Sequence, residues 1–241
     1  MGLWQTPKFV SFQRGYNTSA PYIDATLGLA AAAHFDFVNR RYYWDGKQRR
    51  EQDFTSFVGA SFGTGTTAGL TGSGTAANHD ITLDWAALNI SAPFIMVSVF
   101  RPALINGTQQ QILSVEAEAT PAQNRTSQFI ATTNAARHNT LVGNVSQVAQ
   151  SSSALTVDTN YAIATLVQTN QFRNSLSGAT AGAEDTSGTL PTFSLIRLLE
   201  APSNNTPLTG AIRHVLFFQN TSGAEISQAD LNTLSGALAL L

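Results

Sequence analysis

The chain has 241 residues, no cysteine, a formal net charge of −2 and only 12% charged side chains. The missing thiols exclude disulfides and thiolate metal centres. The near-neutral balance excludes a global electrostatic pull toward nucleic acid or an anionic membrane. One large all-β domain or two small ones can bury a sizeable core at this length without cross-links.

Residues 1–8 carry neither a basic n-region nor a continuous apolar stretch, so a signal peptide is not expected. No apolar run reaches the roughly 18 residues of a membrane span. Up to about residue 33 the aromatics Trp4, Phe9, Phe12, Tyr16 and Tyr22 are scattered on no clean period of a strand or a helix. Two readings of this segment stay open: an arm whose aromatics fill pockets on a neighbouring subunit, or a strand and loop packed on their own domain. The run Ala30–Ala33 can extend a helical turn.

Residues 34–54 are the most charged part of the chain. Phe35, Phe37 and then Tyr43 alternate with polar residues, and Asp45-Gly46 is a hairpin-turn signal. The segment reads as a β-hairpin with an Arg-rich return arm. Residues 59–78 are glycine-rich, without the Lys-Ser/Thr of a phosphate loop, and read as a structural loop.

Short strand-like runs follow, separated by Gly, Asn and Pro: 81–83, 94–100, 111–115, 128–132, 141–148, 154–157, 161–167, 193–199 and 212–218. Ile212, His214, Leu216 and Phe218 share one face of the last run, with Val215 and Phe217 on the other. A strand apolar on both faces belongs inside a sandwich. Ser227 with Asp230 opens a capping box, and Leu231, Leu234, Leu238 and Leu241 recur at the spacing of one helix face.

The order of these motifs resembles the concanavalin A-like or laminin-G-like jelly roll over roughly residues 80–241. The residues that carry the resemblance are Ser91–Phe100, Gln111-Ile-Leu-Ser114, Tyr161–Leu166, Arg173–Gly178, and the ending Leu208–Asn220 with Glu225-Ile226 and Leu231. His214 stands where that family often has an acid, and Tyr161 where it often has Trp. The resemblance implies an all-β fold, an antiparallel jelly-roll β-sandwich with an extended N-terminal arm and one short C-terminal helix. Such domains are frequent in tailed-phage virion proteins.

Function candidates are few. Glu116 and Glu118 sit two apart, as glycosidase carboxylates do, but position 120 is Thr where a third acid is wanted. The histidines are too dispersed for a metal set, and His214 reads as a satisfied core histidine. Asn78 and Asp80 form a single weak oxygen-ligand pair. The Arg pairs at 40–41 and 49–50, interleaved with aromatics, suit nucleic acid, but neighbouring acids offset their charge and a protein interface suits them better.

The expectation is therefore a non-enzymatic structural virion protein, assembled in the host cytoplasm, such as a capsid decoration, with no cofactor, metal, nucleic acid or membrane partner. Residues 1–55 would dock and 56–241 would form the sandwich. The docking residues are Trp4, Phe9, Phe12, Tyr16, Arg40, Arg41, Tyr43, Trp44, Arg49 and Arg50. The partners are a major capsid or other virion protein and further copies of the chain. The alternative is a carbohydrate-binding module gripping a glycan on the same fold.

Overall fold

Several strands turn back on themselves at residues in the left-handed backbone region, which Gly, Asn and Asp enter at least cost. Asp45 (φ 50°) and Gly46 (φ 69°) join one hairpin, Gly143 (φ 58°) and Asn144 (φ 68°) a second, and Ser177 (φ 47°) and Gly178 (φ 93°) a third. These are two-residue turns whose twist matches that of the flanking strands.

The computed structural model describes residues 23–24, 29–73, 80–199, 206–219 and 225–241. In chain order the first strands are Ile23–Asp24 (β1), Leu29–Asp36 (β2), Arg41–Trp44 (β3), Lys47–Arg49 (β4), Ser56–Val58 (β5) and Ser61–Gly63 (β6). Gly69–Ser73 (β7), Asp80–Asp84 (β8), Phe94–Pro102 (β9), Gln110–Glu116 (β10), Arg125–Ile130 (β11) and Ala135–Val142 (β12) follow. Val145–Ala154 (β13), Tyr161–Gln168 (β14), Gln171–Leu176 (β15), Ala179–Thr180 (β16), Leu195–Leu198 (β17) and Thr209–Gln219 (β18) complete the strands, before one helix, Gln228–Leu238 (α1).

They form two antiparallel sheets. The first runs β16-β15-β14-β9-β18-β2-β3-β4, with β7 also on β18 and β6 on β7. The second runs β13-β12-β11-β10-β17-β8-β5. The expected all-β antiparallel sandwich with a short C-terminal helix is what forms. Residues on both sides of position 55 share the first sheet and the core, because β2 pairs with β18 through Phe35↔Val215 and Ala33↔Phe217.

Several local expectations are corrected. Residues 29–36 are a strand, not a helical turn, since Ala33 and Phe35 are fully buried against the second sheet's side of the sandwich. The expected strand over 141–148 is split at Gly143-Asn144 into the β12–β13 hairpin. The glycine-rich stretch contains β6 and β7. Gly72 is required there because a Cβ would lie 1.9 Å from the Leu208 carbonyl oxygen, so only glycine lets β7 lie on β18.

A bulge corrects the face assignment on β18. Opposite β9 the register slips between Ile212 and His214, and a one-residue slip exchanges faces. Ile212 therefore joins Val215 and Phe217 in the inner core, while Leu216 and Phe218 point outward.

Between the sheets lies an aromatic core in which Phe35, Trp44, Phe54, Trp85, Phe94 and Phe217 meet edge-on or tilted. A polar seam crosses it: Gln128 accepts from Ser98 Oγ (2.7 Å) and donates to Thr165 Oγ1 (2.9 Å), which donates to Asn174 Oδ1 (2.9 Å). His138 Nε2 meets Thr126 Oγ1 at 2.9 Å in the same layer. Burial holds this imidazole neutral, pushing it down to about 4.

The outer face of the first sheet is apolar, and α1 covers it. Ser227 caps the helix as expected: its Oγ accepts from Asp230 N, and its own N–H donates to the Asp230 carboxylate at 3.0 Å. Leu231, Leu234 and Leu238 are fully buried against Ile95, Val97, Ala164 and Leu166. Each contributes about 2 kcal/mol by leaving water. The Arg173 guanidinium pins the helix entry, donating to Glu225 Oε1 at 2.7 Å and to the Ile226 carbonyl.

Candidate functional site

The Arg-rich hairpin was the sequence's first candidate, and its side chains divide. Trp44 is 1% exposed and packs among Phe35 and Phe54, so its assignment as a partner contact is corrected: it belongs to the core, with Tyr42. Arg40 lies over the Phe62 ring and donates twice to the Glu51 carboxylate, both at 2.7 Å. Arg49 lies over Trp44 and reaches Asp45 at 3.3 Å. Arg41 and Arg50 are exposed, and Tyr43 is half-buried. Trp4, Phe9, Phe12 and Tyr16 lie outside the described residues, as do Asn78 and His79.

A second cluster occupies the outer face of the second sheet. Alternation puts every other residue of these strands outward. Register then aligns them in rows. One row runs Leu195, Glu116, Arg125 and Leu141; the next runs Arg197, Ser114, Ser127 and Asn139; Phe129 and Arg137 lie beyond. Among the described residues, Arg125, Arg137 and Arg197 thus share this face of β10–β12 and β17 with the carboxylate of Glu116. The next acid, Asp84 on β8, accepts from Ala86 N and caps the turn that follows.

Glu116 organises the face from below. It is fully buried, and its carboxylate accepts from Arg197 Nε and Ser114 Oγ, each at 2.9 Å. Arg125 is its direct cross-strand neighbour and donates to the carbonyls of Pro121 and Ala122. Burial pushes the Arg125 guanidinium down, and Glu116 works against that shift. A buried carboxylate persists only when paired in this way.

Arg137 and Asn139 differ from the rest. Both are half-buried, two apart on the same face of β12. Arg137 Nε and Asn139 Oδ1 are each shielded from solvent and have no hydrogen-bond partner. An orphaned donor beside an orphaned acceptor costs stability, about 1–3 kcal/mol apiece. Such a pair is what a hydroxyl- or carboxylate-bearing ligand would satisfy.

The other candidates do not assemble. β10 ends at Glu116, and Glu118 lies exposed in the turn beyond it. The two carboxylates therefore do not flank one substrate position. Among the described residues no three His, Asp or Glu side chains are placed to hold a metal ion. His214 is buried, with its Nδ1 3.3 Å from His34 Nε2 and 3.5 Å from Asp36 Oδ1. Burial, ahead of the opposing pull of Asp36, holds both imidazoles below their ordinary range.

Sequence reasoning passed over Arg125, Arg137 and Arg197. Their signal was the alternation Arg125-x-Ser127-x-Phe129 and Arg137-x-Asn139-x-Leu141. Strands expected to begin at 128 and 141 cut both arginines out of their elements.

No protein-family model matches this chain, and no curated protein matches it. Solved structures do. The Ruminococcus gnavus IT-sialidase CBM40 bound to α2,3-sialyllactose superposes with a TM-score of 0.50 at 13% identity, covering 63% of this chain and 86% of that one. Its complex with α2,6-sialyllactose gives the same score and identity, 0.50 and 13%. Trypanosoma rangeli sialidase superposes at 0.57 with 13% identity, over 93% of this chain but 36% of the sialidase. At such identities the likeness establishes the fold, a jelly-roll β-sandwich shared with carbohydrate-binding and sialidase structures.

Proposed function

We propose that this chain is a non-catalytic carbohydrate-binding module whose ligand lies on the outer face of the second sheet. The observation that carries the reading is the orphaned pair Arg137 Nε and Asn139 Oδ1, on two half-buried side chains of β12. Sugar hydroxyls both donate and accept, so one glycan satisfies both atoms. The fold shared with a module bound to sialyllactose supports the same class of ligand. The engagement of Glu116 with Arg197 supports a binding role over a hydrolytic one.

The test is a glycan array followed by titration calorimetry. Arg137→Ala and Asn139→Ala should each weaken binding about tenfold, equivalent to about 1.4 kcal/mol, while Val58→Ser on the far edge strand leaves it unchanged. Binding indifferent to both substitutions, or no binding to any glycan, removes the reading.

A second reading, a virion component such as a capsid decoration docked through residues 1–55, is supported by the exposed Arg41 and Arg50 beside β4, the last strand in its sheet order. Under it, deleting residues 2–22 abolishes incorporation into particles while the sandwich stays folded. Stoichiometric incorporation of the truncated chain would end it.

A further inference from the structure

We propose that Asn106 is a modification site: it deamidates spontaneously to aspartate and isoaspartate through a cyclic imide, at a rate set by Asn134. Asn106-Gly107 is the one Asn-Gly pair in the sequence. Both residues are exposed, in the loop between β9 and β10. Gly107 holds φ at 74°, where glycine sits without strain, and it has no side chain to screen its own nitrogen.

The local geometry favours ring closure. Asn106 Oδ1 accepts from Thr108 N at 3.1 Å. That bond folds the side-chain amide back over the following peptide, as in an Asx turn, and brings Cγ toward Gly107 N. Holding two reacting groups side by side lowers the entropic part of the barrier. In the first step Gly107 N gives its proton to solvent hydroxide and bonds to Asn106 Cγ. The Cγ–Nδ2 bond then breaks, and Nδ2 takes a proton from water and leaves as ammonia. Water next adds to one of the two imide carbonyls. Opening at Cγ gives aspartate; opening at the main-chain carbonyl leaves the chain running through Cγ as isoaspartate. Nothing is oxidised or reduced.

Asn134 is the brake. Gly107 N donates to Asn134 Oδ1 at 3.0 Å, and that bond must break before the nitrogen can lose its proton. Asn134 is itself fixed in the β11–β12 turn at φ 64°, with its N–H on the Ala131 carbonyl and its carbonyl on Leu155 N, both at 2.8 Å. One such hydrogen bond slows the first step roughly fivefold. Two other pairs lack what Asn106 has. Asn174-Ser175 is fully buried within β15, with Asn174 Oδ1 held by Thr165 Oγ1. Asp45-Gly46 is exposed, but a carboxylate held by Arg49 at 3.3 Å is a weaker electrophile than an amide.

The experiment ages the full chain in mildly alkaline buffer and follows it by peptide mapping with mass spectrometry, with enzymatic methylation of isoaspartate as a second readout. Aspartate and isoaspartate should accumulate at position 106 ahead of every other described asparagine. Asn106→Gln should remove the methylation signal. Asn134→Gly keeps the left-handed backbone and deletes the acceptor, and should speed the reaction roughly fivefold. If Asn134→Gly fails to fold, Asn134→Asp keeps an oxygen for Gly107 N–H and should react no faster than the wild type.

Modification that gathers first at another described asparagine, or a methylation signal that survives Asn106→Gln, would overturn the site. Equal rates in the wild type and a folded Asn134→Gly chain, or a faster rate in Asn134→Asp, would overturn the role of Asn134. None of these outcomes bears on the glycan reading, which stands or falls on Arg137 and Asn139.

Discussion

The two outer faces of the sandwich are made of neighbouring antiparallel strands with the same alternation, yet one is sealed and the other is polar. On the first sheet Ile95, Val97, Val99, Ala164 and Leu166 point outward and α1 lies over them. On the second, Ser114, Glu116, Arg125, Ser127, Arg137 and Asn139 take the equivalent outward positions. An apolar face of that size left in water is an association hazard, so the helix is required where the first sheet is greasy. On the second face the central side chains, Ser114, Glu116 and Ser127, are buried as well, but they are polar. The difference teaches where to look for function: the apolar face is used up by folding, and the polar one keeps two shielded atoms without partners, Arg137 Nε and Asn139 Oδ1.

The sharpest way to break the contrast is to make the covered face polar. Leu234→Asp places a charge under α1, and should cost about 4 kcal/mol in denaturant unfolding, in the range of severe core defects. A cost below about 1 kcal/mol would mean that the helix is not a true lid.

Acid attacks the layer between the two faces. His138 is neutral in the folded chain, pushed down to about 4 by burial, against about 6.5 when unfolded. Its folded value is the lower one, so the unfolded chain takes up the proton first. Stability is full above pH 6.5 and falls as pH drops toward 4, by roughly 3 kcal/mol from this residue. His34 and His214 shift in the same direction and add to the slope. In His138→Gln the loss over this pH window should shrink; an unchanged slope would acquit the residue.

A smaller effect separates the lid's polar contact from its greasy one. Ser235 Oγ meets Ser175 Oγ at 2.7 Å and accepts from Gly178 N at 2.9 Å. Ser235→Ala should cost about 1–2 kcal/mol by orphaning Gly178 N, while Ser175 Oγ keeps its bond to the Ala179 carbonyl. Equality with wild type in thermal unfolding would show that the leucines alone hold the helix.

The smallest stability effect belongs to the polar face. Arg137→Ala should move stability by less than about 1 kcal/mol, since the side chain has no internal ion pair to lose, while weakening glycan binding. If it instead unfolds the protein, the polar face is structural and the contrast collapses.

Legibility followed the range of the forces involved. The Asp45-Gly46 turn, the Ser227–Asp230 capping box and the leucine spacing of α1 were readable because each depends on residues within one turn of one another. The outward alternation was readable in principle, but misplaced ends of β11 and β12 hid Arg125 and Arg137. Trp44 was misread because a hairpin seen alone does not tell which of its two faces the rest of the chain will cover.

By itself, then, the sequence determined the class of fold: short alternating strands, left-handed turn residues and one capped amphipathic helix. Local backbone preference and side-chain periodicity suffice for that. Only the tertiary structure decided that Ile212 turns inward at a bulge and that Trp44 is spent in the core. It also decided that Arg125 and Arg197, from two separate strands, flank one buried Glu116. Those outcomes depend on register between strands distant in the chain, where one residue of slip exchanges every face.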